Sequence, residues 1–453
     1  MQAARPDRAG WNLFLRRARW WAISALLAAP AARAQGVVWH VDDGAPPGGN
    51  GLSWATAFQN PSEALALSIA GDTLWVAEGS YLPLVPTNPA DPRTATFLLP
   101  NGVNLIGGFA GNETSLPPQG NPLATILSGD LGAPGSTVDN AYHVVSVLHP
   151  MEPSFAQVLE RCVIRDGRAD GPDDPRGGGL YLTGFILRVS EVTLRDNYAL
   201  NGGGCFAQLG LLHLRKCTFA DNSAGSKGGA LRAQTLGIEC HSTRFVGNRS
   251  VLAGGAVSLT SIDSSAAGPD VRFANCLFQS NSSATAGGGA ASMNSGQFTS
   301  GKAMWTNCTF RGNRCAPTAM GSAIYAGPPN TISSESVLRN CIVWGNFPAP
   351  ALAYQHTVSW SDIQGGVWLG PGNISADPML DARGVPSLGS PVIDAGNNGL
   401  LPLDVTDLDG DGIVNEPLPL DLLGARRRAE VPSAPNTGVG SAPFVDLGAC
   451  ETQ

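Results

Sequence analysis

Lysine is nearly missing from this chain. Only Lys216, Lys227 and Lys302 occur in 453 residues, and the formal net charge is −8. Such a chain lacks the basic footprint that nucleic acid demands of a partner. Charged residues make up only 14%, yet a hydrophobic content of 43% supplies a core and excludes wholesale disorder. No apolar run reaches the ~18 residues of a membrane-spanning helix. Glycine shows no three-residue period, so a collagen triple helix is excluded too. The cysteine spacings fit no zinc motif. Six histidines (His40, His143, His149, His213, His241 and His356) stand apart from any metal spacing or nucleophile motif. Paired carboxylates for glycoside hydrolysis are absent from the repeat strands. Asp42-Asp43 lies near the start of the exported chain and Asp173-Asp174 in a Gly/Pro-rich loop.

Glycine and proline, 57 and 34 residues, are in excess. The N-terminus reads as a secretory signal. Arg5, Arg8, Arg16, Arg17 and Arg19 precede the apolar stretch Trp20 to Ala29, and Ala32-Arg33-Ala34 offers a cleavage site. Cleavage there removes six arginines and one aspartate, taking the formal charge from −8 to −13. The exported protein is acidic, which favours cations over anionic partners.

Self-comparison gives the fold. Eight windows align, beginning at Cys162, Val192, Cys217, Thr243, Cys276, Cys308, Cys341 and Ser361, with spacings of 30, 25, 26, 33, 32, 33 and 20. Apolar residues alternate with others inside each window, the period of a strand with one buried face. One column runs Leu159, Val189, Leu214, Cys240, Phe273, Trp305, Leu338 and Val358; another runs Ile164, Leu194, Phe219, Phe245, Phe278, Phe310, Val343 and Ile363. The step of three between the first column and the window start implies a local irregularity in the strand. Asn197, Asn222, Asn248, Asn281, Asn313 and Asn346 form a further column, expected to turn a left-handed corner and to bond along an amide ladder. That ladder discounts the glycosylation sequons at Asn248 and Asn281. A glycine pair and a second short strand follow, as in Gly228-Gly-Ala-Leu231 and Gly254-Gly-Ala-Val257. A fixed strand, corner and glycine turn with loops of variable length describe a parallel β-solenoid.

The Phe-x-x-Asn and Gly-Gly-Ala-[Leu/Val] pairs resemble polymorphic outer membrane protein repeats, which implies a right-handed parallel β-helix. Gly71-Asp-Thr…Glu78-Gly-Ser-Tyr81 resembles the first coil of pectate-lyase-like β-helices. Trp39-His-Val-Asp-Asp43, Ile106-Gly-Gly-Phe-Ala-Gly-Asn-Glu-Thr114, Ile126-Leu-Ser-Gly-Asp130, Ser390-Pro-Val-Ile-Asp-Ala-Gly396 and Val445-Asp-Leu-Gly-Ala-Cys-Glu451 together resemble bacterial secreted choice-of-anchor Q proteins over nearly the whole exported chain. Asn60-Pro-Ser-Glu with Leu65, Leu67 and Ile69 predicts a short helix capping the open N-terminal end.

The best candidate site is a calcium loop. Asp407, Asp409 and Asp411 alternate before Gly412; Ile413 would add its carbonyl, Asn415 a direct or water-mediated ligand, and Glu416 or else Asp421 a carboxylate. The usual bidentate acid at loop position 12 is replaced by Leu418. An ion-free Asp/Gly-rich turn is the alternative. A bound Ca2+ here would be structural.

Of nine cysteines, Cys162, Cys217, Cys276, Cys308 and Cys341 share a column, where free inward thiols act as small hydrophobes. Cys315 and Cys450 are expected to be the reactive ones. Arg165 and Arg195, equivalent outward positions, are candidates for an anionic ligand.

The sequence therefore predicts an all-β, right-handed single-stranded parallel β-helix of roughly ten coils, ~50 Å long. Its expected divisions are a signal peptide (1–34), an N-terminal cap and first coil (35–85), helix repeats (86–370) and a loop-rich C-terminal segment closing the far end (371–453). The expected role is that of a secreted, non-catalytic surface protein presenting loops to cell-surface glycans or envelope components. Its rival is a polysaccharide lyase or hydrolase. No membrane span is expected in the exported chain, and the sequence does not set its oligomeric state.

Overall fold

The computed structural model describes residues 36–116, 120–149, 156–172, 174–234, 237–260, 271–294, 302–327, 335–405 and 407–453. The signal-peptide reading of Met1 to Ala34 and the position of Asp173 lie outside them.

The chain winds into a right-handed parallel β-helix. Its strands stack into parallel sheets of eleven, ten, nine and five strands. One coil shows the plan. Ile186–Ser190 lies in the eleven-stranded sheet and Thr193–Arg195 in the ten-stranded one. Tyr198–Asn201 joins the five-stranded sheet and Cys205–Gln208 the nine-stranded sheet. Leu211–Arg215 then opens the next coil against Ile186–Ser190.

Both apolar columns read from the sequence are in register. Val189 pairs with Leu159 and Leu214, and Phe273 with Trp305. Leu194 pairs with Phe219, and Phe278 with Phe310. The rings stack: Phe219, Phe245, Phe278 and Phe310 follow one another at 5.0, 4.7 and 4.7 Å, with interplanar angles of 12, 3 and 6°. Such stacking adds about 0.5–1.5 kcal/mol per pair beyond burial.

Two expectations about corners are corrected. The step of three is not an irregular strand but a bend between two sheets. Its pivot is left-handed: Arg161, Glu191, Lys216, Ser242, Asn275, Asn307 and Asn340 have φ between 48 and 55°. The laddered asparagines are not themselves left-handed. The residue before each one is, as at Asp196, Asp221 and Ser280 (φ 57, 53 and 57°). The asparagines point inward instead, and the ladder forms. Nδ2 of Asn197, Asn222, Asn248 and Asn281 each donates to Oδ1 of the next at 3.0 Å, and Asn313 donates to Asn346 at 2.9 Å. Asn248 and Asn281 are fully buried, so neither sequon can accept a glycan. The glycine turn is also required. A Cβ on Gly203 would stand 2.2 Å from the Ser223 carbonyl oxygen.

The N-terminal end is covered as expected, though by less helix. Asn60 caps Pro61–Leu65 by accepting the Ser62 N–H at 2.9 Å, and Ala64 and Leu65 enter the core. Leu67 and Ile69, 57 and 71% exposed, lie past its end. Among the described residues, no helix is long and apolar enough to cross a membrane.

The C-terminal segment departs from expectation. Only its first part meets the far end, where Ile374 pairs with Asp362. From residue 377 the chain turns back along the flank as a strap. It covers Leu277 and Ile342, outward residues of the ten-stranded sheet. Apolar outward residues would otherwise face water, and that is the physical reason the strap lies there.

Candidate functional site

The strap follows the left-handed corner. Asn275 Nδ2 donates to the Leu420 carbonyl at 2.7 Å, and Ser242 Oγ to that of Asp421 at 3.4 Å. Asn340 donates to the Asn397 carbonyl at 3.1 Å and accepts the Asn397 N–H at 3.0 Å. Sequence reasoning missed this Asn275, Asn307, Asn340 column. Its signal was the thrice-repeated Asn-Cys pair. One residue type serves both needs, because asparagine tolerates left-handed backbone and its amide reaches outward.

The motifs around Asp394 and Asp446 form a buried clasp within the strap. Arg427, wholly buried, donates through Nη2 to the carbonyls of Asp446 and Gly448 at 2.8 and 2.7 Å. Its Nε lies 3.5 Å from Glu451 Oε2. Asp446 accepts the N–H groups of Asp394 and Thr452 at 2.7 and 2.8 Å. Burial, then the Asp446 charge, pushes the Asp394 carboxyl up to about 6.

The acidic loop closes the near end of the strap. The Asp404 N–H donates to the Glu416 carbonyl at 2.8 Å, and Leu418 N–H to that of Pro402 at 2.9 Å. Between them Asp407, Gly410 and Gly412 take left-handed φ of 52, 80 and 85°. The structure brings Asp407, Asp409 and Asp411 together, with carboxylate oxygens within 4.8 Å of one another. Glu416 does not join that trio. It meets Asp409 and Asp404 in a second group of the same tightness. Asp404, buried at the loop's base, escaped the sequence reading because it falls outside the alternating register. Ile413 and Asn415 lie on the loop's exposed side. Burial and the charges of Asp411, Asp409, Asp404 and Asp407 raise the Glu416 carboxyl above its usual range. Glu416 Oε1 is buried without a hydrogen-bond partner. Hard carboxylate oxygens converging on Asp409 fit a calcium-type ion.

Opposite the loop stands a cationic wall. A cleft of about 620 Å³ is lined by Arg161, Arg215, Lys216 and Glu191 on one side and by Leu408, Asp409 and Gly410 on the other. Arg215 Nη1 donates to the Asp407 carbonyl at 2.7 Å. Arg161 Nε lies 3.3 Å from Glu160 and 3.7 Å from Glu191. Burial lowers the Lys216 ammonium, and Arg215 adds to the effect.

Other candidates are placed as follows. Arg165 and Arg195 are in register, but each pairs with its following aspartate, at 3.2 and 2.6 Å. Those aspartates are left-handed (φ 64 and 57°), and their carboxylates occupy the anion position. All nine cysteines are free and buried. Cys315 and Cys450 are therefore not reactive loop thiols; burial pushes them up to about 11 and about 12. In the core the Cys240 and Cys276 sulfurs lie 3.8 Å apart.

Against this geometry, comparison with known proteins gives a match to one family repeat. Residues 216–234 match the Chlamydia polymorphic membrane protein (Chlamydia_PMP) repeat. They hold Phe219, the laddered Asn222 and the Gly228-Gly229 turn, so that repeat is a stretch of one coil and its corner. No curated protein matches the chain. Among solved structures, a rhamnogalacturonan lyase is 13% identical, with 72% of this chain and 87% of that one covered at a TM-score of 0.42. The Escherichia coli protein YbhC is 12% identical, with 77 and 87% covered at 0.33. Likenesses this loose carry no argument about activity.

Proposed function

We propose that this chain is an exported surface protein, a non-catalytic rod presenting loops for adhesion or for association with envelope carbohydrate. The polymorphic membrane protein repeat at residues 216–234 carries the reading, because the same Asn and Gly-Gly positions recur on neighbouring coils. Export would follow cleavage near Ala34. The test is incubation with uronic-acid and neutral polysaccharides in calcium, following both retention and product release. Retention without new reducing ends or unsaturated products is expected. Product release at catalytic rates would overturn the reading in favour of a lyase or hydrolase.

Calcium belongs to the same proposal, as a structural ion. Asp404, Asp407, Asp409, Asp411 and Glu416 would hold it, neutralising carboxylates that otherwise repel one another. An ion at 100 times its dissociation constant stabilises the folded state by about 2.7 kcal/mol. Calcium is expected to raise the melting temperature and chelator to reverse the rise. Asp409→Ala, which removes the carboxylate common to both groups, abolishes the response. A melt insensitive to calcium, chelator and Asp409→Ala alike would remove the ion.

A further inference from the structure

Three arginines are buried in the described residues: Arg161, Arg232 and Arg427, exposed by 6, 7 and 0%. Arg161 faces Glu160 and Glu191, and Arg427 faces Glu451 and two carbonyls. Arg232 differs. Its partner is a neutral hydroxyl, Ser258 Oγ, to which Nη1 donates at 2.7 Å. Among the described residues, no carboxylate lies in ion-pair reach of it. Another cation, Lys227, is half-buried on the same coil, feels the Arg232 charge and is itself without an acidic partner among the described residues.

A guanidinium taken out of water without a counter-charge is costly, by several kcal/mol per ion. Both cations respond as that cost requires. Burial pushes Arg232 down to about 10, and burial with the Arg232 charge lowers Lys227. The surroundings fit a ligand position. Arg232 stands on the outer face of the nine-stranded sheet, in a column that runs Tyr181, Phe206, Arg232, Ser258, Ser292 and Tyr325. Aromatic residues flank this stretch of the column, which continues to Ser146 and Leu98 on one side and to Ala353 on the other, and serines follow the arginine. The Ser292 hydroxyl has no hydrogen-bond partner.

We propose that Arg232, with Lys227 and the Ser258 hydroxyl, is a binding site for an oxyanion group carried by a ligand: a carboxylate, sulfate or phosphate. The planar fork of arginine matches such groups through paired hydrogen bonds. The anion supplies the charge that this position lacks. The site is independent of the acidic loop and of whether the rod is catalytic.

The experiment is thermal melting of the exported chain, and of Arg232→Met and Lys227→Met, titrated with galacturonate, inorganic sulfate and inorganic phosphate. Chloride at matched ionic strength is the reference. The wild type is expected to show a saturable rise of ~3 °C or more at low millimolar anion. The anion saturating at the lowest concentration identifies the group. Lys227→Met weakens the response several-fold, and Arg232→Met abolishes it. Without anion, Arg232→Met melts no lower than the wild type, because it removes an uncompensated charge. No saturable response to any of the three anions overturns the proposal, as does an equal response in the wild type and Arg232→Met. Should Arg232→Met fail to fold, the titrations of wild type and Lys227→Met decide: a saturable rise weakened by Lys227→Met supports the site, and any other pattern overturns it.

Discussion

Asn248→Ala is expected to lower the free energy of unfolding by about 3–5 kcal/mol, seen as a lower urea midpoint. The size follows from what one buried amide does. Asn248 Nδ2 donates to the Phe219 carbonyl at 2.9 Å and to Asn281 Oδ1 at 3.0 Å. Its Oδ1 accepts from the N–H and Nδ2 of Asn222 at 3.1 and 3.0 Å. Alanine strands these partners where water does not reach, and each buried polar group left unpaired costs about 1–3 kcal/mol. The damage is local in space but central in the stack, since each coil is held chiefly by its neighbours. The unfolding transition is therefore expected to broaden or divide. A loss under ~1 kcal/mol would show that the ladder is ornamental.

Arg427→Met is expected to cost a similar ~3–5 kcal/mol, because removing one member of a buried ion pair leaves the other charge uncompensated. The consequence differs in kind. Arg427 ties the last residues of the strap together, so the variant should free residues 377–453 before the coils unfold. Limited proteolysis would report early cuts in that segment, and a melt would resolve a first, smaller transition. A second substitution, Glu451→Gln, should recover part of the loss by removing the stranded charge. If the strap of Arg427→Met stays as protected as in the wild type, the clasp does not hold it.

Much of the helix was legible because it repeats. Leu159 to Val358 and Ile164 to Ile363 fall into register, since each coil must bury the same two positions against its neighbours. The amide ladder was legible for the same reason. What escaped was the assignment of left-handed turns. Their φ sits on whichever residue the bend requires, and Arg161, Glu191 and Lys216 accept it without any of the usual sequence marks. The strap escaped more fully. Its partners are remote in sequence, as with Arg215 and Asp407, 192 residues apart. No local period can announce such a contact. In the acidic loop the trio of aspartates was readable from alternation, whereas Asp404 enters only because a hairpin folds it back beside Glu416.

The returning strap also decides how the rod bears load. A bare solenoid pulled at its ends peels from the terminal coil, one strand pair at a time. Here the strap is fastened to the flank, where the Ala449 N–H donates to Thr309 Oγ1 at 2.9 Å and Gly448 to the Asn340 carbonyl at 2.8 Å. Tension carried by the strap enters there, one and two coils in from the tip, and must shear the asparagine contacts together before any coil is reached. The tip itself lies outside the line of force.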